Sequence, residues 1–202
     1  GPAPLLEFAR LVHEAGFPAG VVNILTGGRE AGRALTTHPK VAHIAFTGGP
    51  ETARHIVRSS AENLAKTSLE LGGKSPFIVF DDADLDSAAN AQVSGIFAAT
   101  GQSCVAGSRL LVQASVKEAM LARLKAKAEA IAIGAPDQMA TEVGPLCTER
   151  QRDRIADLIA RSVAAGAKVV TGGVGPAGAG FYFPPTILDC TAAHDAPCLR
   201  EE

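Results

Sequence analysis

No block of five or more like charges occurs in these 202 residues, and 19 lysines and arginines nearly balance 21 aspartates and glutamates, for a formal charge of −2. The sequence therefore lacks both the basic footprint that binds nucleic acid or an anionic membrane surface and an acidic tail. Long apolar runs are missing too. Stretches such as residues 76–80 fall far short of the roughly 20 residues that cross a bilayer, so no membrane helix is expected. The four cysteines, Cys104, Cys147, Cys190 and Cys198, form no CxxC pair and are too few for a disulfide scaffold, so a reducing, cytoplasmic setting is expected. Five scattered histidines make no HxxxH or HExxH arrangement, and no metal site is expected. The glycine pairs at 27–28 and 48–49 make no GxGxxG fingerprint, and there is no repeat of solenoid period. Gly1 and Pro2 stand where an initiator Met would, read as a processing remnant, and carry no functional argument.

What is present is enough for a core. Hydrophobic residues make up 47% and charged residues 20% of a chain whose length suits one or two domains. Residues 3–48 alternate helix and strand. An apolar helical pattern (Leu5, Leu6, Phe8, Ala9, Val12) stops at Gly16 and Pro18, and a strand is predicted over 21–25. A short helix over 31–35 and a second strand over 41–46 follow. A helix over 50–61 then leads to a strand over 67–71. Short, nearly all-apolar strands between helices predict an α/β fold of doubly wound parallel sheets, covered on both faces.

Gly72-Gly73 interrupts this alternation, which predicts a domain boundary there, between 1–72 and 73–202. Beyond the break we expect a strand over 76–79, a helix capped by Asp82 or Asp84 and reaching 99, and a strand over 109–113. Helices over 116–131 and 148–165, a strand over 168–171 and a Gly/Ala/Pro-rich loop over 172–180 complete the reading.

Four features carry possible chemistry. Two strand-to-helix connections, Leu25-Thr26-Gly27-Gly28 and Phe46-Thr47-Gly48-Gly49-Pro50, could aim free backbone N–H groups and a helix dipole at a phosphate, or could simply be tight turns. Cys104 lies in a glycine-flanked connection, Gly101-Gln102-Ser103-Cys104-Val105-Ala106-Gly107. It reads either as a reachable nucleophile or as an inert core thiol; Cys147, Cys190 and Cys198 have no such setting and read as inert core thiols. Glu70, between Leu69 and Leu71 at a strand end, reads as a carboxylate made basic by apolar burial, or as an edge glutamate satisfied by Lys74 or a backbone amide.

Taken together, these segments resemble the aldehyde dehydrogenase superfamily. The matches run in order through Glu14-Ala15-Gly16-Phe17-Pro18-Ala19-Gly20-Val21-Val22-Asn23, Phe46-Thr47-Gly48-Gly49 and Leu69-Glu70-Leu71-Gly72-Gly73-Lys74-Ser75-Pro76. They continue through Gly101-Gln102-Ser103-Cys104-Val105-Ala106-Gly107-Ser108-Arg109, Gly144-Pro145 and Pro184-Pro185-Thr186, with Glu70 and Cys104 34 residues apart. The resemblance implies NAD- or NADP-dependent oxidation of a small aldehyde. Cys104 would form the thiohemiacetal and thioester, and Glu70 would activate the hydrolytic water. Gly27, Gly48, Gly49 and Leu71 would face the cofactor, Gln151 and Arg154 would touch a cofactor ribose, and Glu202 would hold the nicotinamide ribose.

Residues 1–72 would then be the last part of an NAD(P)-binding Rossmann-like domain and 73–202 the first part of a catalytic domain. The parent is expected to be a cytoplasmic homo-oligomer, dimer or tetramer. Gly49 replaces the family's usual serine, and the turn over 27–32 looks one residue short. The family's oxyanion asparagine, the residues that choose between NAD and NADP, and the oligomerisation hairpin have no counterpart here. Leu199-Arg200-Glu201-Glu202 resembles the opening of the family's EEIFGPV motif. The chain thus reads as an internal piece, inactive alone. Two other readings stay open: a coenzyme A-acylating dehydrogenase, which generally lacks the carboxylate at Glu70, and a noncatalytic nucleotide-binding or structural fragment.

Overall fold

A computed structural model describes residues 2–176, 178 and 180–201, and the chain divides into two compact units, Gly1–Leu71 and Gly72–Glu202. The first contains α1 (Ala3–Glu14), α2 (Arg29–Thr36), β1 (His43–Gly48), α3 (Pro50–Asn63) and β2 (Lys66–Leu71). Pro50 opens α3 at a position where its missing N–H costs nothing. Ala53, Ile56 and Ser60 recur on one face of that helix and are its buried residues. The helix ends at Leu64, held in the left-handed region at φ 55°.

β1 and β2 pair in parallel, with Phe46 opposite Leu69, Thr47 opposite Glu70 and Gly48 opposite Leu71. Both strands alternate exposed and half-buried residues. Ile44, Phe46, Thr67 and Leu69 form the inner face, whereas Ala45, Thr47, Ser68 and Glu70 are exposed. In this chain one face of the pair is therefore exposed. The strand predicted over 21–25 does not form. A strand exists by pairing with a neighbour, and no described residue pairs with this segment; Val21 N–H turns back to the Pro18 carbonyl instead, and Val21 and Leu25 stay exposed.

The second unit is built on a β-α-β arrangement: β3 (Pro76–Val79), α4 (Leu85–Phe97) and β4 (Arg109–Val112), with β3 and β4 parallel. Asp84 caps α4, its carboxylate accepting the Ser87 N–H at 2.7 Å. That hydrogen bond holds the carboxyl below the ordinary aspartate range. α5 (Lys117–Ala130) packs on α4 around a core of Val79, Ala89, Met120 and Leu124. α6 (Glu149–Ala164) starts at Thr148, whose hydroxyl accepts the Gln151 N–H. β5 (Lys168–Thr171) then pairs with β6 (Ile187–Asp189). That pair is antiparallel and irregular between Val169 and Thr171, an addition to the expected parallel strands. β6 is only three residues long, too short to stand out as a periodic run. No described helix is long and apolar enough to cross a membrane.

Lys117 Nζ donates to Asp189 Oδ2 at 2.7 Å and ties α5 to β6. With the Thr191 hydroxyl and N–H also donating to it, the Asp189 carboxyl is drawn down to about 2. A depressed folded-state pKa contributes stability above the unfolded value of about 3.9 and loses it as pH falls toward 2. Chemical denaturation between pH 5 and 2 should therefore show an acid-labile component that Asp189→Asn removes, so that the two proteins differ less in stability at pH 2 than at pH 5. In the core, Met120 is fully buried. Met120→Ala should cost about 2–5 kcal/mol, through lost transfer energy and the cavity left behind, read as a lower thermal midpoint.

Candidate active site

The carboxyl edge of the β1–β2 sheet gathers four of the residues singled out from sequence. Gly48 and Gly49 leave β1 and turn into α3, while Glu70 and Leu71 end β2 beside them in register. A Cβ on Gly48 would fall 2.5 Å from the Phe46 ring, so the turn is made tight by having no side chain there. Gly49 caps α3 without a side-chain hydrogen bond and leaves first-turn N–H groups open. Gly27 lies in the other glycine turn, where Gly28 caps α2, again with no side-chain cap. Glu30 and Glu51 occupy the first turns of these helices.

Glu70 is exposed rather than buried between its leucine neighbours. The cause is strand alternation: Leu69 and Leu71 point to the half-buried face, and the residue between them must point the other way.

Cys104 sits between α4 and β4. The Ala106 N–H donates to the Ser103 carbonyl at 3.2 Å, closing a turn with Cys104 and Val105 at its tip, and the thiol is exposed. Both legs of the turn are held. Before it, Ala99 (φ 50°), Thr100 (φ 55°) and Gly101 (φ 71°) are consecutive left-handed residues, a conformation that costs non-glycine residues energy and collects at functional sites. Gln102 then braces the leg: its Nε2 donates to the Thr100 hydroxyl at 2.5 Å, and its Oε1 accepts the Cys147 N–H at 3.4 Å. After it, Ala106 is buried and the Gly107 carbonyl accepts Gln92 Nε2 at 2.6 Å. Gln92 comes from the buried face of α4, and its Oε1 has no hydrogen-bond partner among the described residues. A side chain at Gly107 would be tightly placed, since a Cβ would meet Phe77 at 3.1 Å and Gln92 at 3.2 Å. Sequence reading passed over Gln92 because a glutamine on an apolar helix face carries no motif. Its signal is that burying an amide needs a partner.

Gln151 is half-buried and Arg154 exposed, three positions apart on α6 and so on one helical face. Arg161, further along that helix, takes Glu201 in two bonds at 2.8 Å, which lowers the Glu201 carboxyl; Arg154 adds to that effect. Glu202 lies outside the described residues. Cys147 proves exposed rather than a core thiol, because it sits in the connection that precedes the Thr148 cap. No group of three or more His, Cys, Asp or Glu placed to hold a metal ion occurs among the described residues.

The sequence model of the aldehyde dehydrogenase family matches residues 1–202. The chain belongs to that family. It is 65% identical over 202 residues to the (Z)-2-((N-methylformamido)methylene)-5-hydroxybutyrolactone dehydrogenase of Acinetobacter baylyi, covering all of this chain and 41% of that protein. A betaine aldehyde dehydrogenase of Rhizobium leguminosarum is 43% identical over 204 residues, covering 100% of this chain and 42% of the relative. The crystal structure of PnpE, from Pseudomonas sp. WBC-3, in complex with nicotinamide adenine dinucleotide superposes with a TM-score of 0.88 at 42% identity. That match covers 93% of this chain and 39% of PnpE. The α/β fold is thus the family's, and the chain spans about two fifths of the length of the curated relatives it matches.

The four thiols differ in setting. Burial, reinforced by the Cys198 thiol, pushes Cys190 up to about 12, whereas Cys104 and Cys147 are exposed. Alkylation of the folded protein, followed by peptide mass spectrometry, should modify Cys104 and Cys147 at least tenfold faster than Cys190, with the difference vanishing in denaturant.

Proposed function

We propose that this chain carries the nucleophile and the general base of an enzyme that oxidises a small aldehyde to a carboxylic acid with NAD or NADP. The observation that carries the reading is the Cys104 turn, an exposed thiol at the tip of a connection braced on both legs. Family membership supports it. In this reading the first unit is the last part of a cofactor domain and the second the first part of a catalytic domain.

The cofactor fits the residues present. The glycine turns at Gly27 and at Gly48 and Gly49 put no side chain between an approaching anion and the open N–H groups of two helix starts. Leu71 would line the same edge, and Gln151, Arg154 and Glu202 would hold the ribose end. When bound, NAD or NADP supplies the acceptor for the hydride that leaves the aldehyde carbon.

The chain's own residues do the remaining chemistry. Cys104, as thiolate, adds to the aldehyde carbon and makes a thiohemiacetal, which becomes a thioester once the hydride has gone. Glu70 takes a proton from water, and the hydroxide equivalent attacks the thioester carbonyl. The C–S bond breaks, the acid is released and the thiolate is restored. The bracing of the loop keeps the thiol in attacking position and cuts the orientational cost of the addition.

In the whole protein, Cys104→Ala should abolish aldehyde oxidation while cofactor affinity stays within a few-fold. Glu70→Gln keeps the side-chain shape but cannot act as a base. Stopped-flow should show a rapid burst of NAD(P)H and then turnover slowed about 10²- to 10⁴-fold. Unchanged turnover in either variant would sink the assignment of that residue.

A further inference from the structure

Cys190 and Cys198 are the described cysteines in sulfur–sulfur contact, with their Sγ atoms 3.5 Å apart. Their closeness is enforced by the backbone. Cys190 follows β6, and successive turns fold the chain back: Ala193 N–H donates to the Cys190 carbonyl, Ala196 N–H to the Ala193 carbonyl and Leu199 N–H to the Ala196 carbonyl, at 2.9–3.0 Å. The Cys198 N–H is pinned in turn by Ser162 Oγ at 3.0 Å, a fully buried hydroxyl that itself donates to the Leu158 carbonyl. Ala167, Ala193 and Ala196 make the small core around the two thiols. Both chain segments are thus fixed independently, one through the β5–β6 pair and one through α6.

We propose that Cys190 and Cys198 are a modification site, a dithiol that a low-molecular-weight disulfide converts reversibly to an intrachain disulfide. Closing the sulfurs from 3.5 Å to the bonded distance of about 2.05 Å asks for small side-chain rotations rather than a rearranged fold. Either thiol of the pair can begin the exchange, and the same two steps follow; in one order Cys198 attacks first. Its thiolate bonds to one sulfur of the reagent, whose S–S bond breaks; the released thiolate takes up the proton that Cys198 gave up. Cys190 then loses its proton and attacks the Cys198 sulfur, and the second reagent thiol leaves. The protein loses two protons and two electrons, and the reagent disulfide takes them up to become two thiols. The new bond staples the Pro197–Leu199 turn, just ahead of the Glu201 paired with Arg161, to the end of β6. It uses neither Cys104 nor Glu70 and stands apart from the proposed activity.

The test is to incubate the whole protein with oxidised glutathione, quench in acid, alkylate, and map the peptides. A cross-linked Cys190–Cys198 peptide is expected, with the two hydrogens lost (about 2 Da) and restored by dithiothreitol. Cys190→Ser and Cys198→Ser should each abolish the cross-link and leave the remaining cysteine of the pair as a thiol or a glutathione mixed disulfide; a circular dichroism spectrum like the parent's would show that both variants fold. Glutathione found only on Cys104 and Cys147, or a cross-link joining either of the pair to another cysteine, would overturn the proposal.

Discussion

Parallel pairing is the constraint from which the rest of the second unit follows. Two parallel strands cannot be joined by a tight turn, so the chain leaving β3 must cross back over the sheet before it can enter β4. α4 makes that crossing, and α5 pins it by packing Met120 and Leu124 against Val79 and Ala89. The return from α4 to β4 is then obliged to run along one sheet edge. It re-enters where Arg109 donates its N–H to the Ser75 carbonyl and its guanidinium to the Lys74 carbonyl. Cys104 sits on that return. The nucleophile candidate is thus placed by a core that it does not touch.

The hydrogen bonds of the return loop divide the work of holding it. Gln92 reaches up from α4 to the Gly107 carbonyl, and Gln102 reaches across to the Cys147 backbone, so the two legs are tied to different parts of the unit. Between them the thiol is left without a burying neighbour. The left-handed run at Ala99, Thr100 and Gly101 supplies the abrupt change of direction from helix to loop. An arrangement with strained entry, anchored exit and open tip is what a group needs when it must meet a substrate in one orientation without being covered beforehand.

In the first unit the same physics acts through alternation. Because β2 presents Leu69 and Leu71 inward, Glu70 emerges on the open face, level with Thr47 and the glycine turn. The Glu70 side chain and the Gly48–Gly49 turn that starts α3 therefore share the carboxyl edge of one small sheet. That is where open α/β sheets gather ligands.

Most elements were legible in the sequence because their signals are local. Pro50 at a helix start, an aspartate at 82 or 84 before α4, the start of α6 near 148 and the apolar spacing of α3 each act within a turn or two. The family, too, could be read from the runs around Glu70 and Cys104. What depended on distant partners could not be read. The valines and leucine of 21–25 have strand composition but no neighbouring strand among the described residues. β6 exists because Lys168 and Val169 lie alongside it. Glu70 is exposed through the direction of a pleat, and Gln92 matters because Gly107, 15 residues away, presents a carbonyl to it. The contact of Cys190 with Cys198 likewise needs the turns that bring residues 193–199 back toward β6. Sequence alone determined which chemical groups the chain carries and which short segments are helical. Tertiary structure decided which groups are paired, buried or free to react, because burial and long-range hydrogen bonding depend on neighbours that only folding supplies.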